Sequence, residues 1–383
     1  MIPNDRDVRF GDDAILDTWQ LVSKMDARRV VLVCGKHAFD ASGASRCLGD
    51  LKRVAEVRRW SDFTPNTDAA DLARGLRVVE DFAPDLVLGI GGGSAMDMAK
   101  LLCAYRGVTD AGRLDDAIRA GAAVTERSSK LVLAPTTSGS GSEATRFAVV
   151  YIGDQKYSIA GDAMLPDAVV LDPALTLTAS PYQRATSGID AIAQAVESLW
   201  ATGADDTSRA FARDALSYLV PALPVFVNTG SPESSRDMAQ GAHLAGRAID
   251  ISRTTAAHAL SYGFTKSYGV SHGHAVALTL GSFIEAHAAA APESLRPGVD
   301  PDTHAAAMRD ILAQLGADTP AKARARFTEL AETCGMSLRL PDVGVTTRLQ
   351  VADLTSRINA ERLGNNPVAF TVDQLTDLVA SAF

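Results

Sequence analysis

Asp190 stands in the run GIDAIAQAVESLW, and Gln194 follows one helical turn later on the same face. Well downstream, TTAAHALSYGFTKSYGVSHGHAVAL carries His258, His272 and His274. One carboxylate and two imidazoles suit a borderline divalent ion such as Fe²⁺ or Zn²⁺, and an amide oxygen from Gln194 would add a weak fourth ligand. The competing reading is structural, because a lone Asp or His is more often simply hydrogen-bonded within the fold. His272 precedes Gly273, which suggests a helix junction facing open space.

Two glycine-rich loops offer a second kind of chemistry. GGGSAMDMAK (91–100) follows a strand pattern and opens a helix pattern. Consecutive glycines let the backbone approach a ligand, and the free amides and positive dipole end of the helix favour a pyrophosphate. The loop is neither the GxGxxG fingerprint nor a Walker loop, and a tight turn would read the same way. PTTSGSGSEAT (135–145) is a second small-residue loop after a strand, with hydroxyls and amides suited to phosphate. Two such loops at neighbouring strand ends point to a nucleotide site at the carboxyl edge of a sheet.

The elements that must position these residues change character along the chain. RRVVLVCG (28–35), PDLVLGIGGGS (84–94) and KLVLAPTTSGSGSE (130–143) read as strands buried on both faces. AVVYIGDQKYSIAG reads as a hairpin, and DAVVLDPALT as a strand stopped by Pro173. Helical patterns such as AADLARGLRVVEDF (69–82) and SAMDMAKLLCAYR (94–106) lie between them. This alternation predicts an α/β domain over 1–178, a parallel sheet with helices on both faces. Beyond about residue 178 Ala-rich helical periodicity takes over, predicting an all-α domain over 179–383. Without a low-complexity linker, the two domains are expected to pack tightly and enclose a cleft.

Composition sets the outer limits. The 383 residues are 46% apolar and 22% charged, ordinary for a globular protein and foreign to disordered, collagen-like or coiled-coil chains. A net charge of −9 with no basic block argues against nucleic acid or an anionic membrane surface as partner. The start, MIPNDRDVRF, is too charged for a signal peptide, and no apolar run approaches the length of a membrane span. Cys34, Cys47, Cys103 and Cys334 are scattered, as expected of reduced, buried thiols in a cytoplasmic protein.

GGGSAMDMAK, PTTSGSGSEAT, GIDAIAQAVES, the His258-to-His272 segment and the late NNP (365–367) occur together and in order. In this the chain resembles the iron-containing (group III) alcohol dehydrogenase family over nearly its whole length. The resemblance implies the dehydroquinate synthase-like architecture: an NAD(P)-binding α/β domain, an all-α domain, a divalent metal in the cleft, and a homodimer or larger homo-oligomer. It assigns Gly91, Gly92, Gly93 and Ser94 to the cofactor pyrophosphate. It places Asp97 at the family's acidic position on the nicotinamide side, and Thr136, Thr137 and Ser140 against nicotinamide and phosphate. The family's metal set is one Asp and three His. Asp190, His258 and His272 match it, whereas Gln194 stands where a His is expected and Tyr262 replaces a further family histidine. Gln is a poorer ligand than imidazole, so weaker metal binding is implied, and metal-free relatives such as maleylacetate reductases exist.

DAIAQAVES (190–198), HALSY (258–262), HGHAVAL (272–278) and NAERLGNNP (359–367) are most similar to the phosphonoacetaldehyde reductase branch. The implied activity is NAD(P)H-dependent reduction of a small aldehyde, phosphonoacetaldehyde to 2-hydroxyethylphosphonate, with the ion held by Asp190 polarising the carbonyl. Alternatives are a metal-independent reductase of the maleylacetate type, a general short-chain alcohol dehydrogenase, a dehydroquinate-synthase-like lyase, and a non-catalytic nucleotide-binding descendant. Tyr262 or His274 would relay a proton to the alkoxide, or else only line and pack the site. An anionic substrate needs local cations. Arg146 is the first choice, followed by Lys156, Arg253 and Lys266. Gly35 and Lys36, at the end of a strand where an acidic residue would select NAD, permit NADP.

Overall fold

The computed structural model describes residues 7–358 and 360–383; Asn359, the first residue of NAERLGNNP, lies outside them. The described chain divides between Ala179 and Ser180 into two compact units.

The first unit is built on a six-stranded parallel sheet. Its strands are β1 (Asp7–Phe10), β2 (Arg29–Cys34), β3 (Glu56–Trp60), β4 (Leu86–Gly91), β5 (Lys130–Pro135) and β8 (Ala168–Leu171), and β6 (Phe147–Ile152) and β7 (Gln155–Ala160) form a separate antiparallel hairpin. The sheet order is β1-β8-β5-β4-β2-β3. Leu32 sits opposite Leu88, and Leu88 opposite Val132, so the central strands pair in register along apolar rows. Alternate residues feed two cores. Val31 and Val33 pack on one face with Met96 and Leu101, while Val30 and Leu32 pack on the other with Phe39 and Leu51. Burial on both faces is why these strands are continuous β-branched runs.

Because β3 flanks β2 on one side and β4 on the other, the winding direction reverses between β2 and β4. The carboxyl ends of these two strands carry Gly35 and Gly91. A reversal of strand order opens a crevice at that edge, the usual place for a nucleotide. Lys100 stabilises the same region from inside. Fully buried, it donates from Nζ to the carbonyls of Thr145 and Phe147 at 2.7 and 2.8 Å, tying the helix Gly93–Ala104 to the second glycine loop.

The second unit is all helical among its described residues. Ser180 caps the helix Pro181–Trp200 by accepting from the amide of Gln183, with Pro181 in the first turn. The helix Asp206–Asn228 is long and apolar enough to cross a membrane by length and composition, a run not anticipated from the sequence. In the fold it packs along Pro181–Trp200 and Pro232–Ser252 and buries Leu216, Leu219, Leu223 and Phe226. Its apolar stripe is therefore used within the helical core.

Candidate metal and cofactor sites

In the helical unit, Asp190 and Gln194 lie on Pro181–Trp200, His258 on Ala256–Tyr268, and His272 opens His272–Ala288. These three helices bring one ligand atom each from Asp190, His258 and His272 within 4.8 Å of one another. Asp190 Oδ1 is 3.3 Å from His258 Nε2 and 3.7 Å from His272 Nε2. His258 is buried, whereas the His272 side chain is 40% exposed and forms the open side of the group.

Close approach of the third helix depends on Gly273. A Cβ there would fall 1.9 Å from the Thr186 carbonyl oxygen and 3.1 Å from Asp190 Cβ. The helix junction expected at His272-Gly273 is present, but the glycine faces a neighbouring helix instead of open space.

The two histidines are oriented from behind. Glu197, fully buried, accepts at Oε2 from His258 Nδ1, and at Oε1 from Thr255 Oγ1 at 2.8 Å and the Ala257 amide at 3.0 Å. A carboxylate on Nδ1 holds the proton there, so Nε2 presents its lone pair toward Asp190 when the ring is neutral. Ser261 donates to the His258 carbonyl at 2.7 Å and lies 3.3 Å from His272 Nδ1, which favours the same tautomer for His272. Without an ion, burial would lower the His258 pKa, but the Glu197 and Asp190 carboxylates outweigh it and push it up to about 10.

His258 Nε2 is buried and makes no hydrogen bond. A divalent cation at this point would give that nitrogen a partner and share the charge of Asp190, so the donor set fits one. Gln194 does something else. Its Nε2 donates to Asp190 Oδ2 at 3.2 Å and so steadies the carboxylate, while its Oε1, the atom that would serve as a fourth ligand, is buried beside it. Tyr262 stacks on His272, with ring centroids 6.0 Å apart and planes within 6°.

His274, the other residue expected to relay a proton, is hydrogen-bonded at both ring nitrogens. Nε2 donates to the Ser337 carbonyl at 2.7 Å, and Nδ1 faces the Tyr182 hydroxyl at 3.0 Å. One nitrogen thus ties its helix to Pro181–Trp200 and the other to the segment that follows Pro320–Thr333.

In the α/β unit the two glycine loops lie against each other. A Cβ on Gly93 would come 3.1 Å from Ser140 Cβ, and one on Gly92 3.6 Å from Thr137. The Thr136 amide donates to the Gly91 carbonyl at 2.9 Å, and Ser94 Oγ accepts from the Asn66 amide at 3.1 Å. Gly92 stands at the N-cap of Gly93–Ala104 and offers no side chain to its first amides. Ser138 Oγ is buried in the second loop and makes no hydrogen bond. This cradle of glycine backbone and hydroxyls around a helix N-terminus fits a pyrophosphate.

Asp97 is engaged structurally. It accepts from Ser142 Oγ at 2.6 Å and from the Val149 amide at 3.0 Å, and burial pushes its carboxyl upward against the opposing pull of Lys100. Gly35 ends β2 beside exposed Lys36, which pairs with Asp62 at 3.5 Å. Of the proposed anion-binding cations, Arg146 pairs with Asp162 at 3.0 Å, and Lys156 lies on β7 with its charge acting on Asp97. Arg253 ends the helix Pro232–Ser252 with φ 62° and ψ 174°, a conformation usually left to glycine. Lys266 is exposed, two turns after His258 on the same helix.

Sequence reasoning missed Glu197, Ser261 and Lys100. Glu197 was visible in principle, since positions 190, 194 and 197 share a helix face.

Comparison with known proteins gives a consistent result. The profile of the family described as "Iron-containing alcohol dehydrogenase" matches residues 5–173, and that described as "Fe-containing alcohol dehydrogenase family, C-terminal" matches residues 184–383. A phosphonoacetaldehyde reductase of Streptomyces viridochromogenes is 34% identical over 284 residues, covering 72% of this chain and 70% of that protein. Alcohol dehydrogenase 4 of Saccharomyces cerevisiae is 25% identical over 98% of this chain and 96% of its own. Among solved structures, the sulfoacetaldehyde reductase of Bifidobacterium kashiwanohense in complex with NAD⁺ superposes with a TM-score of 0.88 at 25% identity, covering 99% of this chain and 97% of that one.

Proposed function

Given that the chain belongs to the iron-containing alcohol dehydrogenase family, whose members interconvert alcohols and aldehydes, we propose that it reduces phosphonoacetaldehyde to 2-hydroxyethylphosphonate with NAD(P)H. The observation that carries the reading is the convergence of Asp190, His258 and His272, with the buried His258 Nε2 lacking a hydrogen-bond partner. A divalent ion at these residues supplies a Lewis acid for the carbonyl oxygen, and NAD(P)H supplies the hydride.

The chain's own residues do the rest. Glu197 and Ser261 hold the imidazole rings with Nε2 toward the reacting group, and Gln194 steadies Asp190. Tyr262, stacked on His272, brings a hydroxyl-bearing ring beside the ligand set and takes the proton-relay role. The glycine cradle at Gly91–Gly93 with Thr136, Thr137 and Ser140 takes the pyrophosphate side of the cofactor, and Gly35 with Lys36 accommodates a 2′-phosphate.

Two similarities support a small anionic aldehyde. One relative is a phosphonoacetaldehyde reductase, and a structural neighbour is a sulfoacetaldehyde reductase. Phosphonate and sulfonate share a tetrahedral anionic head that Lys or Arg recognises. Lys266 shares its helix with His258 and Tyr262, two turns beyond His258, so it is the cation to test first, ahead of Arg146, Lys156 and Arg253.

A second reading is favoured by Gln194. With an amide hydrogen-bonded to Asp190 where the resemblance expects a histidine, the site would suit a reductase working without a metal. Oxidation of NADPH and NADH at 340 nm with phosphonoacetaldehyde and with propanal, before and after chelation and Fe²⁺ or Zn²⁺ readdition, separates the two. Loss and return of phosphonoacetaldehyde-dependent activity is expected. Activity with propanal alone would overturn the substrate, and activity indifferent to a metal content measured as zero would overturn the metal.

A further inference from the structure

We propose that Asn365, in the NNP run near the C-terminus, is a positioning residue that sets the spacing of the metal centre by joining the two helices behind His258. The proposal rests on the reading of Asp190, His258 and His272 as a metal site.

The Asn365 amide uses all of its hydrogen-bonding capacity on two chain segments. Its Oδ1 accepts from Thr202 Oγ1 and from the Gly203 amide, both at 2.9 Å, just beyond the end of Pro181–Trp200. Its Nδ2 donates to the Ser252 carbonyl at 2.8 Å and the Thr254 carbonyl at 3.1 Å, just before the start of Ala256–Tyr268. The Thr202 amide adds a bond to the Asn365 backbone carbonyl at 3.0 Å.

Between the two bonded carbonyls sits Arg253, with φ 62° and ψ 174°. A non-glycine residue holds such a conformation only where its surroundings over-determine it. The paired bonds from Nδ2 to either side do this. Arg362, three residues before Asn365, adds a bond from Nη1 to Thr254 Oγ1.

From this clamp a ladder of contacts leads to the ligands. Ser198 Oγ meets Ser252 Oγ at 2.7 Å. Trp200 Nε1 donates to Thr255 Oγ1 at 2.9 Å, and Thr255 Oγ1 donates to Glu197 Oε1 at 2.8 Å. Glu197 then holds His258 Nδ1, and His258 Nε2 faces Asp190 Oδ1 at 3.3 Å. The first rung joins Pro181–Trp200 to the end of Pro232–Ser252, and the others join it to Ala256–Tyr268 and its N-cap Thr255. A shift at residues 202–203 or 252–254 therefore passes to the separation of Asp190 and His258, and metal affinity is sensitive to displacements of this kind.

The test compares the parent protein with Asn365→Asp, which keeps size and Oδ1 but turns two donors into an acceptor facing two carbonyls. The milder Thr202→Val, which removes one bond, is the second variant. Chelated protein is titrated with Co²⁺, following affinity and visible absorption, and NADPH affinity is measured on the same samples by fluorescence. For Asn365→Asp we expect Co²⁺ affinity to fall about tenfold or more with a changed absorption band, and for Thr202→Val a smaller fall in the same direction. NADPH affinity should stay within about twofold, because that site is built by other residues. Unchanged Co²⁺ affinity and band shape in Thr202→Val and in folded Asn365→Asp would overturn the positioning role. Equal losses of NADPH and Co²⁺ binding would overturn it too, by showing a general effect on folding. Failure of the parent itself to bind Co²⁺ would instead sink the metal reading on which the proposal stands.

Discussion

Glu197 and His258 meet across two helices, the buried carboxylate on ring Nδ1, and Glu197 lies on the same helix as Asp190. One helix thus supplies both an anion for the front of the imidazole and an anion for its back. Glu197→Gln should lower metal affinity by about ten- to a hundredfold, because the amide no longer enforces the Nδ1–H tautomer or raises the basicity of Nε2. Metal content after dialysis against a graded chelator series measures it, and retention equal to the parent's would show that Glu197 only fills space.

Asp190→Asn should remove the metal and turnover together while leaving NADPH affinity unchanged. The variant keeps the side-chain shape and loses the charge that faces both histidines at 3.3 and 3.7 Å. Elemental analysis beside an NADPH oxidation assay decides it. Full activity in a metal-free variant would favour the metal-independent reductase.

Gly273→Ala puts a methyl group 1.9 Å from the Thr186 carbonyl oxygen, a contact that backbone must yield to relieve. Overpacking of this kind costs about 1–3 kcal/mol and here acts beside Asp190. Urea unfolding should show that loss, and metal affinity should fall with it. A stability within about 0.5 kcal/mol of the parent would mean that the two helices are free to move apart.

Lys266→Ala should raise KM for phosphonoacetaldehyde about tenfold or more, the worth of one charge-assisted hydrogen bond, and leave KM for propanal unchanged. The comparison of the two aldehydes separates recognition of the phosphonate from damage to the reacting centre. Equal effects on both would remove Lys266 from the anion site and pass the test to Arg253.

His287 predicts the acid limb of stability. It is enclosed by Trp200, Phe283 and Phe370, and burial together with His304 pushes its pKa down from 6.5 to about 3. Between those values the unfolded chain binds a proton that the folded chain refuses. Stability is therefore full above pH 6.5 and falls as the pH is lowered, by about 1.4 kcal/mol per unit from this group. Urea midpoints at pH 7.5, 6.0 and 5.0 should shift in favour of His287→Leu relative to the parent as the pH drops; parallel lines would assign the acid sensitivity to other groups.

What was legible in the sequence follows from what local pattern can carry. β2, β4 and β5 are buried on both faces, so their apolar runs announce them, and the glycines at the end of β4 announce the loop. β1, DVRF, and β3, EVRRW, are the edge strands of the sheet; their charged residues break the apolar run that marks the central strands and hid them from the same reading. The spacing of Asp190 and Gln194 placed both on one helix face, because helical periodicity is a local property.

The sequence by itself therefore pointed to the two-part architecture, to the glycine loops and to Asp190, His258 and His272 as candidate metal ligands, all of which rest on contiguous pattern or on motif order. Only the tertiary structure decided that Gln194 turns its amide to Asp190, that both nitrogens of His274 are engaged, and that Glu197 stands behind His258. Asn365 belongs with these, since its partners at 202–203 and 252–254 lie more than a hundred residues away along the chain. Hydrogen bonds between residues so distant in sequence leave no periodic trace; which donor meets which acceptor is settled only when helix packing brings them within about 3 Å.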